Sequence, residues 1–264
     1  MPRITPQTLC DMKLRGEKFS CVTAYDATFA GIIDQAGIEA ILVGDSLGMV
    51  LQGHRDTLAV SITDMAYHIS AARRGSGDAL LIGDMPFMSY ATLTDTLNNS
   101  ALLMRAGAQM VKLEGGTWLC PSIEALSARG IPVCAHLGLT PQSVNALGGF
   151  RVQGKTPEAA RRIIDEAKAV EAAGATLLVI ECVPRSLARD ITRLVSIPVI
   201  GIGAGPETDG QVLVLHDLLG LNPKPPRFVQ DFMAGQSSIA GAIAAFGAAV
   251  KSGTFPAAQH CFDG

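Results

Sequence analysis

ALLIGDMP (79–86), TLTDTLNNSALLMRAGA (92–108) and MVKLEGG (110–116) follow one another as a strand, a helix and a second strand. The outer two runs are apolar on both faces of a strand, as in a parallel sheet covered on both sides. The middle run has apolar residues at helical spacing. It ends in Ala-Gly-Ala, where Gly107 can take the left-handed conformation that stops a helix. Two parallel strands need such a crossover between them.

The unit recurs in both directions. CVTAYD (21–26), AILVGDS (40–46), PVCAHLG (132–138), LLVIECVP (177–184) and PVIGIGAG (198–205) are similar short runs, and VLVLHD (212–217) is a weaker eighth. SITDMAYHISAARR (61–74) opens with Ser61 and Asp64 at capping-box spacing. WLCPSIEALSARG (118–130) and TPEAARRIIDEAKAVEAAGA (156–175) also read as helices that stop at a glycine. IAGAIAAFGAAV (239–250) is too short to span a bilayer, and its small residues suit a tightly packed helix.

Strand and helix alternating seven or eight times predict a parallel α/β fold. No GxGxxG opens the first unit, which counts against a dinucleotide fold. The 264 residues match the usual size of one closed barrel. No polar linker divides them. The expectation is a (β/α)8 TIM barrel with a closed parallel sheet, a single catalytic domain over 1–264 and an N-terminal helical extension.

A net charge of −3 argues against nucleic acid as the partner, because phosphate binding needs a basic face. The amino-terminal MPRITPQTLCDMKLRG lacks the apolar core of a signal peptide, so a cytoplasmic protein with no membrane segment is expected. Cysteines 10, 21, 120, 134, 182 and 261 form no CxxC pair and read as reduced, inert thiols.

In such a barrel the active site lies at the carboxyl ends of the strands. The residues there are Asp26, Asp45, Asp84, Glu114, His136 and Glu181, with Ser46 after Asp45. Lys112 lies two residues before Glu114, so both should face the mouth. Several carboxylates meeting there would repel one another, and a bound cation relieves that. Oxygen ligands suit Mg²⁺ or Mn²⁺ rather than zinc.

Each position has a plainer reading. An Asp after a strand most often caps the next helix, which is the preferred reading of Asp26. Asp45 and Asp84, each in a Gly-Asp step, read together as metal ligands. The apolar neighbours of Glu181 disfavour its charged form and suit a general base; the alternative is a salt bridge to Lys112 or an arginine. His136 is either a core histidine or a substrate contact. GIGAG (201–205) is either a phosphate cradle or a tight turn.

TAYD (23–26), LVGDSLGM (42–49), DMPFMSY (84–90), RAGAQMVKLEGG (105–116), HLGLTPQSVNALGGFRVQG (136–154), ECVP (181–184), PVIGIGAG (198–205) and DGQVLVLHDLLGL (209–221) together resemble the ketopantoate hydroxymethyltransferase family. The likeness runs in order from about residue 4 to the last few residues. It implies a barrel enzyme that moves a one-carbon unit from 5,10-methylenetetrahydrofolate to 2-oxoisovalerate (3-methyl-2-oxobutanoate). It also implies one Mg²⁺ per subunit, held by Asp45 and Asp84, with Glu114 reaching it through water. By the same resemblance Ser46 and Lys112 hold the oxo-acid and Glu181 accepts the C3 proton. The resemblance further implies a large homo-oligomer, commonly a decamer. The tail FPAAQHCFDG (255–264) departs from the family pattern at Gln259 and Cys261. The alternative is a Mg²⁺-dependent lyase or mutase of the phosphoenolpyruvate mutase and isocitrate lyase type, although the lid-loop cysteine of that group is not evident.

Overall fold

In the computed structural model, which describes residues 3–263, eight parallel strands close into a barrel in chain order. They are β1 (Phe19–Thr23), β2 (Ala40–Val43), β3 (Leu80–Asp84), β4 (Met110–Glu114), β5 (Val133–Gly138), β6 (Leu177–Glu181), β7 (Val199–Ile202) and β8 (Gly210–Leu213). Each strand pairs with the next, and β8 returns to β1.

The helices are α1 (Pro6–Arg15), α2 (Ala27–Gln35), α3 (Leu47–Val50), α4 (Ile62–Gly75), α5 (Leu93–Ala106), α6 (Cys120–Ser127), α7 (Val144–Leu147), α8 (Pro157–Ala172), α9 (Arg185–Leu194), α10 (Leu215–Leu218) and α11 (Ile239–Lys251). Ser61 and Asp64 form the expected capping box at the start of α4. Gly107 follows α5 at φ +120°, a conformation in which a side chain would be strained. On α11, a Cβ at Gly247 would come within 3.0 Å of Ile38, so the small residue lets the helix lie close to the barrel.

Alternation along the strands explains how the barrel fills. Leu80 and Ile82, Met110, Cys134, Leu177 and Val179 point inward and pack on one another. Leu81, Val111, Leu113, Ala135, Leu178 and Ile180 join the separate apolar layer beneath the helices. Leu9 and Met12 of α1 are buried with the inner set, so the amino-terminal extension packs with the barrel interior. Lys13 fixes it there, donating to the Thr192 and Ile197 carbonyls and pairing with Asp209 at 3.0 Å.

Two expectations need correction. The eighth strand lies earlier than VLVLHD, because Val214 leaves the sheet and residues 215–218 turn into α10. No helix joins β7 to β8; residues 203–209 make that connection as a turn. Lys18 donates to the Pro206 and Thr208 carbonyls at 2.8 and 2.7 Å, and Gln211 donates to the Gly205 carbonyl at 2.9 Å. These bonds satisfy carbonyls that a helix would otherwise occupy. Among the described residues no helix is long and apolar enough to cross a membrane.

Candidate active site

The inward rows change character toward the carboxyl end. Leu80 and Ile82 give way to Asp84, Met110 to Lys112 and Glu114, and Cys134 to His136. The ladder sets these groups side by side, with Asp84 opposite Lys112, Glu114 opposite His136, and Gly138 opposite Glu181. They line a cavity of about 720 Å³ together with Asp45 and Ser46, which follow β2. Seven of the expected site residues thus meet in one place.

Ligand oxygens of Asp45, Asp84 and Glu114 lie within 4.8 Å of one another, and all three residues are buried. Lys112 reaches into this group. Its Nζ lies 2.7 Å from each Asp84 oxygen and 3.4 Å from Glu114 Oε1. Burial, then the charges of Asp84 and Glu114, raise Asp45 well above the ordinary carboxylate range. Burial also raises Asp84, with Lys112 opposing. Burial works against ionised Glu114, but Lys112, His136 and the Gln142 N–H outweigh it and hold its pKa at about 2. Burial opposes the Lys112 charge too, and the surrounding carboxylates overcome it and push its pKa up.

His136 sits between two acids. Its Nδ1 lies 3.1 Å from Glu114 Oε1 and its Nε2 lies 3.2 Å from Glu181 Oε2. The second contact is off the line of a good hydrogen bond. Burial and the Lys112 charge disfavour the imidazolium, yet the two carboxylates raise its pKa to about 9. Glu181 therefore pairs with His136, not with Lys112 or an arginine. Its side chain keeps 14% exposure, against 2% for His136, so Glu181 is the more open of the two cavity-lining groups.

Ser46 begins α3 without capping it, and its Oγ lies 2.9 Å from the Tyr25 hydroxyl. Asp26 lies outside the cavity lining. It caps α2, accepting from the Phe29 N–H at 2.9 Å. In GIGAG, Gly203 and Gly205 have φ of +60° and +85°, and a Cβ there would strike Phe228 and Arg185. The tight turn with close approach is the arrangement present.

Gln142 escaped sequence reasoning. The 3-10 turn Pro141–Ser143 after β5 carries its side chain over the acids. Its Nε2 donates to Asp45 Oδ2 and to the Met85 carbonyl, both at 2.9 Å, and its backbone N–H donates to Glu114 Oε2 at 3.0 Å. Tyr90 donates to Gln142 Oε1 at 2.5 Å and stacks on Trp118. The one signal was its place inside HLGLTPQSVN. The tail was also missed as a wall: Phe262 lines the cavity, with Arg227 5.7 Å over its ring. Neither altered tail position contributes a side chain to the cavity wall; Arg227 bonds only the carbonyl of Gln259.

Comparison with known proteins places this arrangement. Solved structures of phosphonopyruvate hydrolase with oxalate and Mg²⁺ (TM-score 0.61, 16% identity, 80% of each chain) and of 2,3-dimethylmalate lyase (0.57, 17%, 79% of this chain and 80% of the other) share the fold. Sequence relatives are far nearer. The 3-methyl-2-oxobutanoate hydroxymethyltransferase of Shewanella frigidimarina is 58% identical over the whole of both chains. That of Pseudomonas fluorescens is 56% identical over 99% of each. The sequence profile of ketopantoate hydroxymethyltransferase matches residues 3–258. The chain belongs to the ketopantoate hydroxymethyltransferase family.

Proposed function

We propose that the chain transfers a hydroxymethyl group from 5,10-methylenetetrahydrofolate to 3-methyl-2-oxobutanoate, giving ketopantoate for pantothenate synthesis. The observation that carries this reading is the buried cluster of Asp45, Asp84 and Glu114 around Lys112, with Glu181 held one imidazole away. A carbon acid needs those parts: positive charge where the enolate oxygen forms, and a carboxylate base at the neighbouring carbon.

The donor set fits a divalent cation. Three buried carboxylates with only oxygen donors suit Mg²⁺, which would offset both the burial and the repulsion from Asp84 and Glu114 that together raise Asp45. Asp45 and Asp84 would hold the ion directly, with Glu114 behind water. When bound, Mg²⁺ supplies Lewis-acid stabilisation of negative charge on the keto oxygen.

The remaining steps belong to the chain. Ser46 and Lys112 orient the oxo-acid. Val179, Ile202 and Val212 line the cavity beside Glu181 and offer an apolar seat for the isopropyl group. Glu181 removes the C3 proton. His136 lies against the Glu181 carboxylate and steadies it in one orientation. The C3 carbanion bonds to the methylene carbon of the folate as the bond from that carbon to one nitrogen breaks, and water then displaces the second nitrogen and supplies the hydroxyl of the product; the two freed nitrogens take up the C3 proton and one proton of the water.

The same reading extends to a cytoplasmic homo-oligomer, a decamer by resemblance. Incubation with 2-oxoisovalerate, methylenetetrahydrofolate and Mg²⁺ should yield ketopantoate by NMR. Turnover of phosphonopyruvate, or of an oxo-acid without folate, would instead point to the lyase and mutase group.

A further inference from the structure

The cavity is larger than the oxo-acid requires. At about 30 Å³ for each heavy atom, 2-oxoisovalerate takes no more than about 240 Å³, against about 720 Å³ available. The surplus differs in chemistry from the floor. Its walls also include exposed Phe150, Lys224 and Arg227 and half-buried Val152 and Phe262, residues open to solvent where the floor is buried.

Phe150 stands in the loop after α7 and is 53% exposed, unusual for a phenylalanine with no partner ring among the described residues. Phe262 comes from the tail and lies under the Arg227 guanidinium. Both basic residues sit on a turn that is already fixed. Asn222 donates to Asp217 at 2.9 Å and accepts from the Lys224 N–H at 3.0 Å. Arg227 Nε donates to the Gln259 carbonyl at 2.9 Å. The Lys224 ammonium and the Arg227 terminal nitrogens make no hydrogen bond or ion pair among the described residues. The exposed acid nearest them in the tail, Asp263, is engaged by Arg185 at 3.2 Å. A free ammonium, a guanidinium whose terminal nitrogens are free and two phenylalanine rings, all on the solvent-open walls of a pocket whose buried floor does the chemistry, fit a flat ring carrying a carboxylate tail.

We propose that this outer chamber holds the reduced folate, its rings against Phe150 and Phe262 and its glutamyl carboxylates on Lys224 and Arg227. The assignment rests on the transferase reading above and names residues for its second substrate. It sets the one-carbon donor over the oxo-acid, between solvent and floor. Lys224 and Arg227 then read the tail, so added glutamates should strengthen binding.

The test is calorimetric titration of the Mg²⁺-loaded protein with tetrahydrofolate and with its triglutamate, for wild type, Lys224→Gln, Arg227→Gln and Arg227→Lys. Loss of a charged hydrogen bond should weaken binding of the triglutamate about tenfold or more, with a matching rise in the KM for methylenetetrahydrofolate. Arg227→Lys should restore part of it. Exchange of the 2-oxoisovalerate C3 proton in D₂O, which needs no folate, is read in the same preparations. Unchanged folate affinity in both Gln variants, with C3 exchange intact, overturns the outer chamber while the transferase reading stands. Absence of both C3 exchange and folate binding in the wild type overturns the transferase reading and this assignment with it.

Discussion

Replacing Lys112 with Met should destabilise the metal-free protein sharply and should make Mg²⁺ a stronger stabiliser than it is for the wild type. The Lys112 side chain is 5% exposed and its Asp84 partner 2%, so water cannot take over when the ammonium is gone. Methionine keeps the stem but leaves Asp84 and Glu114 facing each other, with Asp45 near both. Removing one partner of a buried pair costs about 3–5 kcal/mol. For a chain of this length that is roughly 6–20 °C in Tm. Asp84 can escape by taking up a proton, so the loss should shrink as pH falls from 8 toward 5. The assay is a thermal melt of both proteins in chelator and in millimolar Mg²⁺, at several pH values. A variant that melts within a degree of wild type in chelator would refute the electrostatic account of the floor. Equal Mg²⁺ stabilisation of the two proteins would refute the placement of the ion among these acids.

Other expectations are as direct. Glu181→Gln should keep Mg²⁺ and oxo-acid binding, measured by calorimetry, and lose about 10²–10⁴-fold in kcat; a parallel loss of binding would remove it from the base role. Gln142→Leu removes the donor that holds Asp45, and should weaken Mg²⁺ binding about 10–100-fold while the fold persists by circular dichroism. The folded His136 pKa of about 9 lies above its unfolded value, so its contribution to stability is complete below about pH 6.5 and is lost as pH rises through 9. Melts of the chelated protein across that window should show a decline, and His136→Asn should flatten it.

The barrel and its acids were legible because both follow from a period of two. A strand that alternates inward and outward and ends in a carboxylate puts that carboxylate at the mouth, so Asp84, Lys112 and Glu114 could be placed from spacing alone. Asp26 was legible for a local reason too, because capping needs only the next three residues. What escaped is non-local or irregular. Gln142 reaches Asp45 across 97 positions of sequence, and only the 3-10 turn after β5 brings it there. The pairing of Glu181 with His136 depends on neighbouring strands being in register, which no single run reveals. The missing helix between β7 and β8 is replaced by bonds from Lys18, near the other end of the chain. Residues 219–238 carry no periodic signal, yet Lys224 and Arg227 bring the outer cavity wall from there.

The central claim is that this floor makes a carbanion at C3 of the oxo-acid and that folate captures it. The most direct measurement is ¹H NMR of 2-oxoisovalerate with the protein and Mg²⁺ in D₂O, repeated with chelator and with methylenetetrahydrofolate. The account predicts loss of the C3 proton signal with Mg²⁺ alone, no loss with chelator, and ketopantoate only when folate is added. A C3 signal that persists with folded, Mg²⁺-loaded protein, and no product on adding folate, would contradict it.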